Sequence, residues 1–283
     1  MEAPRIVCDS LVFGEAPRWK DGRLWFSDMH GEWVCAVTPE GDLEKILHVP
    51  RHPSGLGFMP DGSLLVVSME DRKVLRLKDG KVSVHADLEG HYARGHLNDM
   101  SVDDSGRAYV GQFGSDTYGG EPQQATTLIL IEADGSHRAV ADGLRMPNGM
   151  AISPSGDFLY VAESSGQRIT RFRIADDGSL GAREVYAHLE VRPDGMCLDA
   201  EGCVWFGAAM YPQGGIFRVA PGGAVLETIR DDGWRGIACA LGGEGRNTLF
   251  LIEAQRIAPG KIGGPGNSRI RAVGAPAPGA GPP

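Results

Sequence analysis

The sequence predicts an all-β protein, a six-bladed β-propeller with four-stranded antiparallel blades. Three observations carry this. A glycine-containing turn, followed by four to six β-branched, aromatic or aliphatic residues, recurs six times along the 283 residues. The turn glycines Gly22, Gly62, Gly106, Gly156, Gly202 and Gly245 recur at roughly 40 to 50 residues, the period of a propeller blade. No segment between strands shows the helical period that a parallel α/β fold requires. A two-sheet sandwich would leave six similar copies unexplained.

The elements follow in order. The first strand of each repeat reads GEAPRW at 14–19, PSGLGFMP at 53–60, LNDMSVD at 97–103, PNGMAISP at 147–154, PDGMCLD at 193–199 and RGIACAL at 235–241. A D-G, S-G or E-G turn then leads to a second strand, as in DGRLWFSD at 21–28 and EGCVWFGA at 201–208. Third strands are expected at 73–77, 128–132, 168–174 and 215–219, and fourth strands at 43–47, 81–88, 136–142 and 224–230. RIRAV at 269–273 is expected to close the ring by pairing with the opposite chain end, which removes an exposed edge. One propeller domain thus spans 1–273. The Gly/Pro/Ala-rich tail, 274–283, is expected to be disordered.

Composition excludes several functions. Hydrophobic residues reach 42%, enough for a full core, and the net charge is −9. An acidic surface repels phosphate backbones, so no nucleic acid is expected. No run approaches the length of a membrane span, and the N-terminus does not read as a signal peptide. A cytoplasmic protein with reduced thiols is expected. The five cysteines lack CxxC spacing, and Cys197 and Cys203, which flank a turn, are the pair expected to lie close. There is no GxSxG elbow, no phosphate loop and no HxH or HExxH zinc spacing.

In a propeller the first strands line a central channel, so equivalent positions converge on the axis. Aligning them brings together Glu15, Ser54, Asn98, Asn148, Asp194 and Arg235. Two carboxylates and two carboxamides are short oxygen donors, suited to a hard divalent cation. Taken singly, PNG and PDG are ordinary turn tripeptides. The functional reading rests on register, because four polar residues share one repeat position, and burying them without a partner is costly. His96, two residues before Asn98, is expected near the channel mouth, as a substrate contact, a proton relay or a plain loop histidine. His30 and His52 are candidates for the same face, and neither is expected to act as a ligand.

These motifs carry a family resemblance. GEAPRW at 14–19, LNDMSVDDSGRAYVG at 97–111, LRMPNGMAISP at 144–154 and RPDGMCLDAEGCVWFG at 192–207 stand in order and at family spacing. The sequence resembles the SMP-30/gluconolactonase/luciferin-regenerating-enzyme-like family of six-bladed propellers over about Ser10 to Gln255. The resemblance implies a metal held by Glu15, Asn148 and Asp194, with Asn98 touching the metal or binding substrate. It also implies Asp194 as general base. Calcium is the metal most expected, with zinc, manganese or magnesium as substitutes.

Two positions depart from the sugar-lactonase pattern: His96 stands where those members carry Arg, and Met100 where they carry Gly. Both changes point to a less sugar-like pocket. The insertion GSDTYGGEPQQATT at 114–127 is expected to loop over the channel mouth and help set specificity. The expectation is a monomeric, metal-dependent hydrolase that opens a lactone, with His96 and Asn98 on the substrate. Organophosphate hydrolysis or isomerase/cyclase chemistry at the same site is an alternative. So is a non-catalytic, calcium-stabilised binding propeller.

Overall fold

The structure, a computed structural model, describes residues 2–92, 94–116, 119–209, 214–255 and 263–282. Six antiparallel sheets form the blades of a propeller. The N-terminal strand β1 (Arg5–Leu11) belongs to the last blade. Blade one is β2 (Gly14–Lys20), β3 (Arg23–Asp28), β4 (Trp33–Val37) and β5 (Leu43–His48). Blade two is β6 (Pro53–Phe58), β7 (Leu64–Ser68), β8 (Lys73–Lys78) and β9 (Lys81–Asp87). Blade three is β10 (Arg94–Val102), β11 (Ala108–Gly114), β12 (Thr126–Ile131) and β13 (His137–Leu144). Blade four is β14 (Pro147–Ile152), β15 (Phe158–Glu163), β16 (Arg168–Arg173) and β17 (Glu184–His188). Blade five is β18 (Met196–Asp199), β19 (Val204–Ala208), β20 (Gly215–Val219) and β21 (Val225–Ile229). Blade six is β22 (Trp234–Gly242), β23 (Thr248–Gln255) and β24 (Ser268–Gly274), completed on its outer edge by β1.

The ring closes as expected: β24 pairs with β1, Arg5 opposite Ala272 and Leu11 opposite Ser268. Joining the N-terminal strand β1 to β24 in the last blade's sheet closes the propeller into a single cycle. The strands β2, β6, β10, β14, β18 and β22 each touch the next around the axis, and β22 touches β2. Apolar clusters fill the gaps between blades, with Trp205, Tyr109, Phe26, Phe206 and Phe250 fully buried. The turn chemistry repeats too. Gly22, Gly62, Gly106, Gly156 and Gly202 all adopt φ between 75° and 81°, a left-handed conformation that costs glycine little. The Asp103 and Asp199 carboxylates brace two of these turns by accepting backbone N–H groups, and each pairs with an arginine, Arg107 or Arg218.

Two expectations are corrected. The tail is ordered where described: β25 (Gly279–Ala280) adds a fifth strand to blade five beside β18. Ala277 is buried, Ala200 donates its N–H to the Pro278 carbonyl, and Arg246 donates to the Gly281 carbonyl. Composition argued for disorder, but the unpaired edge of β18 supplies a backbone partner that composition does not report. Cys197 lies beside Cys239 rather than Cys203, with their sulfurs 4.0 Å apart. The two sit on first strands of neighbouring blades, whose mutual approach at the axis outweighs nearness in sequence.

Candidate functional site

The site grows from an irregularity shared by five of the six first strands. Register breaks between Glu15 and Arg18, Pro53 and Leu56, Leu97 and Met100, Pro147 and Met150, and Gly236 and Ala238. Such bulges re-aim side chains and recur beside functional sites. In blades two to four the bulged pairs are Ser54–Gly55, Asn98–Asp99 and Asn148–Gly149. The glycines of PSG and PNG therefore stand at strand positions, not in turns, and Gly195 of PDG directly precedes β18. They are small because neighbouring backbones touch there. A Cβ on Gly149 would lie 2.4 Å from the Asp194 carbonyl oxygen, and one on Gly55 would lie 2.5 Å from the Met100 nitrogen.

That close approach brings the oxygen-bearing side chains together. Asn148 donates its Nδ2 to Asp194 Oδ1 at 2.5 Å and to Ser164 Oγ at 3.3 Å. Ser164 in turn donates to the Pro193 carbonyl. Asn98 Nδ2 donates to the Pro147 carbonyl at 3.1 Å. Both carboxamides thus spend their N–H groups on protein and leave their oxygens as acceptors. Asp194 is fixed through its backbone, donating to the Gly207 carbonyl, while Gly195 donates to the Ile237 carbonyl.

Asn98, Asp99 and Asn148 are buried, whereas Glu15 and Asp194 keep part of their surface toward the channel. Protein encloses both carboxylates closely enough to disfavour their charge. Desolvation, then Asp194 and Asp99, pushes the Glu15 carboxyl well above its ordinary range. Desolvation also leads in raising Asp194, to about 7. Carboxylates confined so close together call for a positive charge between them. Two carboxylates and two free carboxamide oxygens fit a hard divalent cation. Among the described residues, no three His, Cys, Asp or Glu side chains form a ligand cluster, so the soft, histidine-rich set typical of structural zinc is not what is offered.

Two residues before Asn98, His96 stands near further imidazoles, with His52 close enough to act on its charge. His96 faces the Phe113 ring at 6.1 Å. His30 and His52 meet edge to face at 5.2 Å, and His52 Nδ1 lies 3.2 Å from Glu70 Oε1. Burial lowers the pKa of His96. Burial, then His52, lowers His30 to about 4. The described part of the 114–127 insertion is tied down by Gln123, which donates to the Phe113 carbonyl, while residues 117–118 lie outside the described residues.

Sequence reasoning missed Arg18, Glu70 and Asp99. Arg18 is buried, and its guanidinium donates to Asp99 Oδ1 at 2.8 Å and to the Pro17 and Met100 carbonyls. The strand period hid it. Two-residue alternation puts Arg18 opposite Glu15, but the bulge pairs Glu15 with Ser27 and Arg18 with Trp25. Ser27 and Trp25 share one face of β3, so Glu15 and Arg18 share one face of β2. Of the expected ring, Ser54 is buried and its carbonyl accepts from Ser27, and Arg235 donates to the Gln255 carbonyl.

Sequence comparison decides the kinship. The family described as SMP-30/Gluconolactonase/LRE-like region matches residues 13–255. The chain belongs to this family. A pentonolactonase of Haloferax volcanii is 27% identical over 281 residues, covering 97% of this chain and 93% of the relative. A 6-deoxy-6-sulfogluconolactonase of Pseudomonas putida is 25% identical, covering 88% and 86%. Among solved structures, a calcium-binding regucalcin from Agrobacterium tumefaciens superposes with a TM-score of 0.81 at 19% identity, covering 99% of this chain and 96% of that one. A Xanthomonas campestris gluconolactonase superposes with a TM-score of 0.74 at 23% identity, covering 98% and 96%. At these identities the structural likeness speaks for the propeller alone.

Proposed function

We propose that this protein is a metal-dependent hydrolase that opens a lactone at the channel mouth. The observation that carries the reading is the Glu15, Asn98, Asn148 and Asp194 set, poorly hydrated and rich in oxygen acceptors. Two relatives named lactonases support the reaction class. The regucalcin neighbour's description as calcium-binding supports calcium as the first cation to test, ahead of zinc, manganese or magnesium.

Glu15, Asn148 and Asp194 would hold the cation, with Asn98 as a further oxygen donor to it or to substrate. When bound, a divalent cation supplies a Lewis acid that polarises the lactone carbonyl. Asp194 accepts the proton of the attacking water. Asn98 and His96 orient the substrate. The Phe113 ring beside His96 favours a ring substituent less polar than a sugar's hydroxyls.

Asp194→Ala is the test. We expect turnover to fall by about a thousandfold or more, measured by pH release on aliphatic, aromatic and sugar lactones at saturating cation. Near wild-type turnover at full cation occupancy would remove Asp194 from the chemistry. Cation binding without turnover on any lactone or phosphotriester would instead favour a calcium-stabilised binding propeller.

A further inference from the structure

Beside the oxygen donors lies an ion pair that the reaction does not use. Asp99 directly follows Asn98 within the β10 bulge, and Arg18 stands three residues after Glu15 across the β2 bulge. Both side chains are buried. They meet through one direct contact, Arg18 Nη2 to Asp99 Oδ1 at 2.8 Å. Asp99 Oδ1 also accepts the Met100 N–H, and Arg18 is fixed by the Pro17 and Met100 carbonyls. Neither side chain is free to reorient.

The charges of this corner can be counted. Glu15, Asp99 and Asp194 are three carboxylates, and Arg18 is one guanidinium. Arg235 also acts on Asp194, so the carboxylates exceed the guanidiniums by one and the corner stays negative and open to a cation. Asp99 and Arg18 both act electrostatically on Glu15, in opposite senses, and Asp99 also raises Asp194. In a poorly hydrated site such fixed charges act over several ångströms with little screening. A buried ion pair brings little stability of its own, so a charge-setting role explains the burial better than packing.

We propose that Arg18 and Asp99 set the charge of the cation site, Asp99 strengthening its hold on the ion and Arg18 weakening it. Neither residue touches the ion; both are positioning residues. The inference rests on the metal-dependent reading above.

The test is calorimetric titration of metal-free protein with calcium and, separately, with a trivalent lanthanide. Wild type is compared with Arg18→Met, Asp99→Asn and the double variant. Asp99→Asn should bind calcium at least about tenfold more weakly, and Arg18→Met no more weakly than wild type. The double variant should recover to within about threefold of wild type. Arg18→Met should also raise lanthanide affinity more than calcium affinity, because the removed charge acts on three ionic charges instead of two.

Far-UV circular dichroism and melting temperature establish folding for each variant. If Arg18→Met does not fold, the double variant and Arg18→Lys take its place. The lysine keeps the charge and should bind calcium like wild type. Losses that add in the double variant, or equal losses for both ions, would show packing instead of charge and overturn the proposal. Failure of wild type to bind any divalent ion would overturn the metal reading itself, and this inference with it.

Discussion

A carboxylate enclosed by protein and a histidine wedged between rings report the same physics with opposite signs. Asp194 is raised to about 7 and His30 is lowered to about 4, each chiefly by desolvation of its charged form. For His30 the consequence is a pH dependence. His52 and the Phe13 ring face it, and Glu70 stands behind His52. Its Nδ1 is buried without a hydrogen-bond partner among the described residues.

Because the folded value lies below the ordinary 6.5, the unfolded chain binds the proton first as pH falls. His30 therefore costs no stability above about pH 6.5, and stability is lost as pH drops toward 4. Discounted for partial exposure, the loss near pH 5 is about 1 kcal/mol. His30→Phe should flatten the fall in melting temperature between pH 7 and 5. An unchanged slope would place the acid sensitivity elsewhere.

The blades were readable because their punctuation is local. A turn glycine and an aspartate, serine or glutamate before it fix each hairpin, and Gly22, Gly62, Gly106, Gly156 and Gly202 share one backbone conformation. The bulges were not readable. Nothing in GEAPRW announces that Ala16 takes φ of 48°, yet that residue puts Arg18 on the face of Glu15. Asn98 and Asp99 likewise look like neighbours on opposite faces until the β10 bulge buries both. The aligned polar positions could be found from register, but the charge partner behind them could not.

The glycines after Ser54 and Asn148 were open to misreading for a similar reason. Close packing of neighbouring strands is a long-range contact, and a tripeptide reads as a turn. Gly149→Ala should therefore cost roughly 3 kcal/mol, because its Cβ would strike the Asp194 carbonyl and the Met196 nitrogen. It should also weaken calcium binding by displacing Asn148 from Asp194. Thermal melting and a calcium titration check both, and a neutral substitution would refute the close-packing account.

Closure governs the molecule as a whole. The expected pairing of RIRAV with the N-terminal end is a strand-to-strand match, β24 with β1. The tail shows the limit of composition as a guide. Its Gly/Pro/Ala content cannot reveal that β25 will lie against β18 or that Ala277 will be buried. Ending the chain at Gly274 should leave the far-UV spectrum unchanged and cost about 2 kcal/mol, a melting shift of several degrees. No shift would mean that β25 adds nothing to stability.

The propeller's axis is where sequence, backbone and charge converge, and its chemistry is open to direct measurement. The initial rate of lactone opening should be followed while calcium is titrated into metal-free protein. The account predicts negligible turnover without cation and saturation as about one equivalent binds. A metal-free protein that opens lactones at the full rate would contradict it.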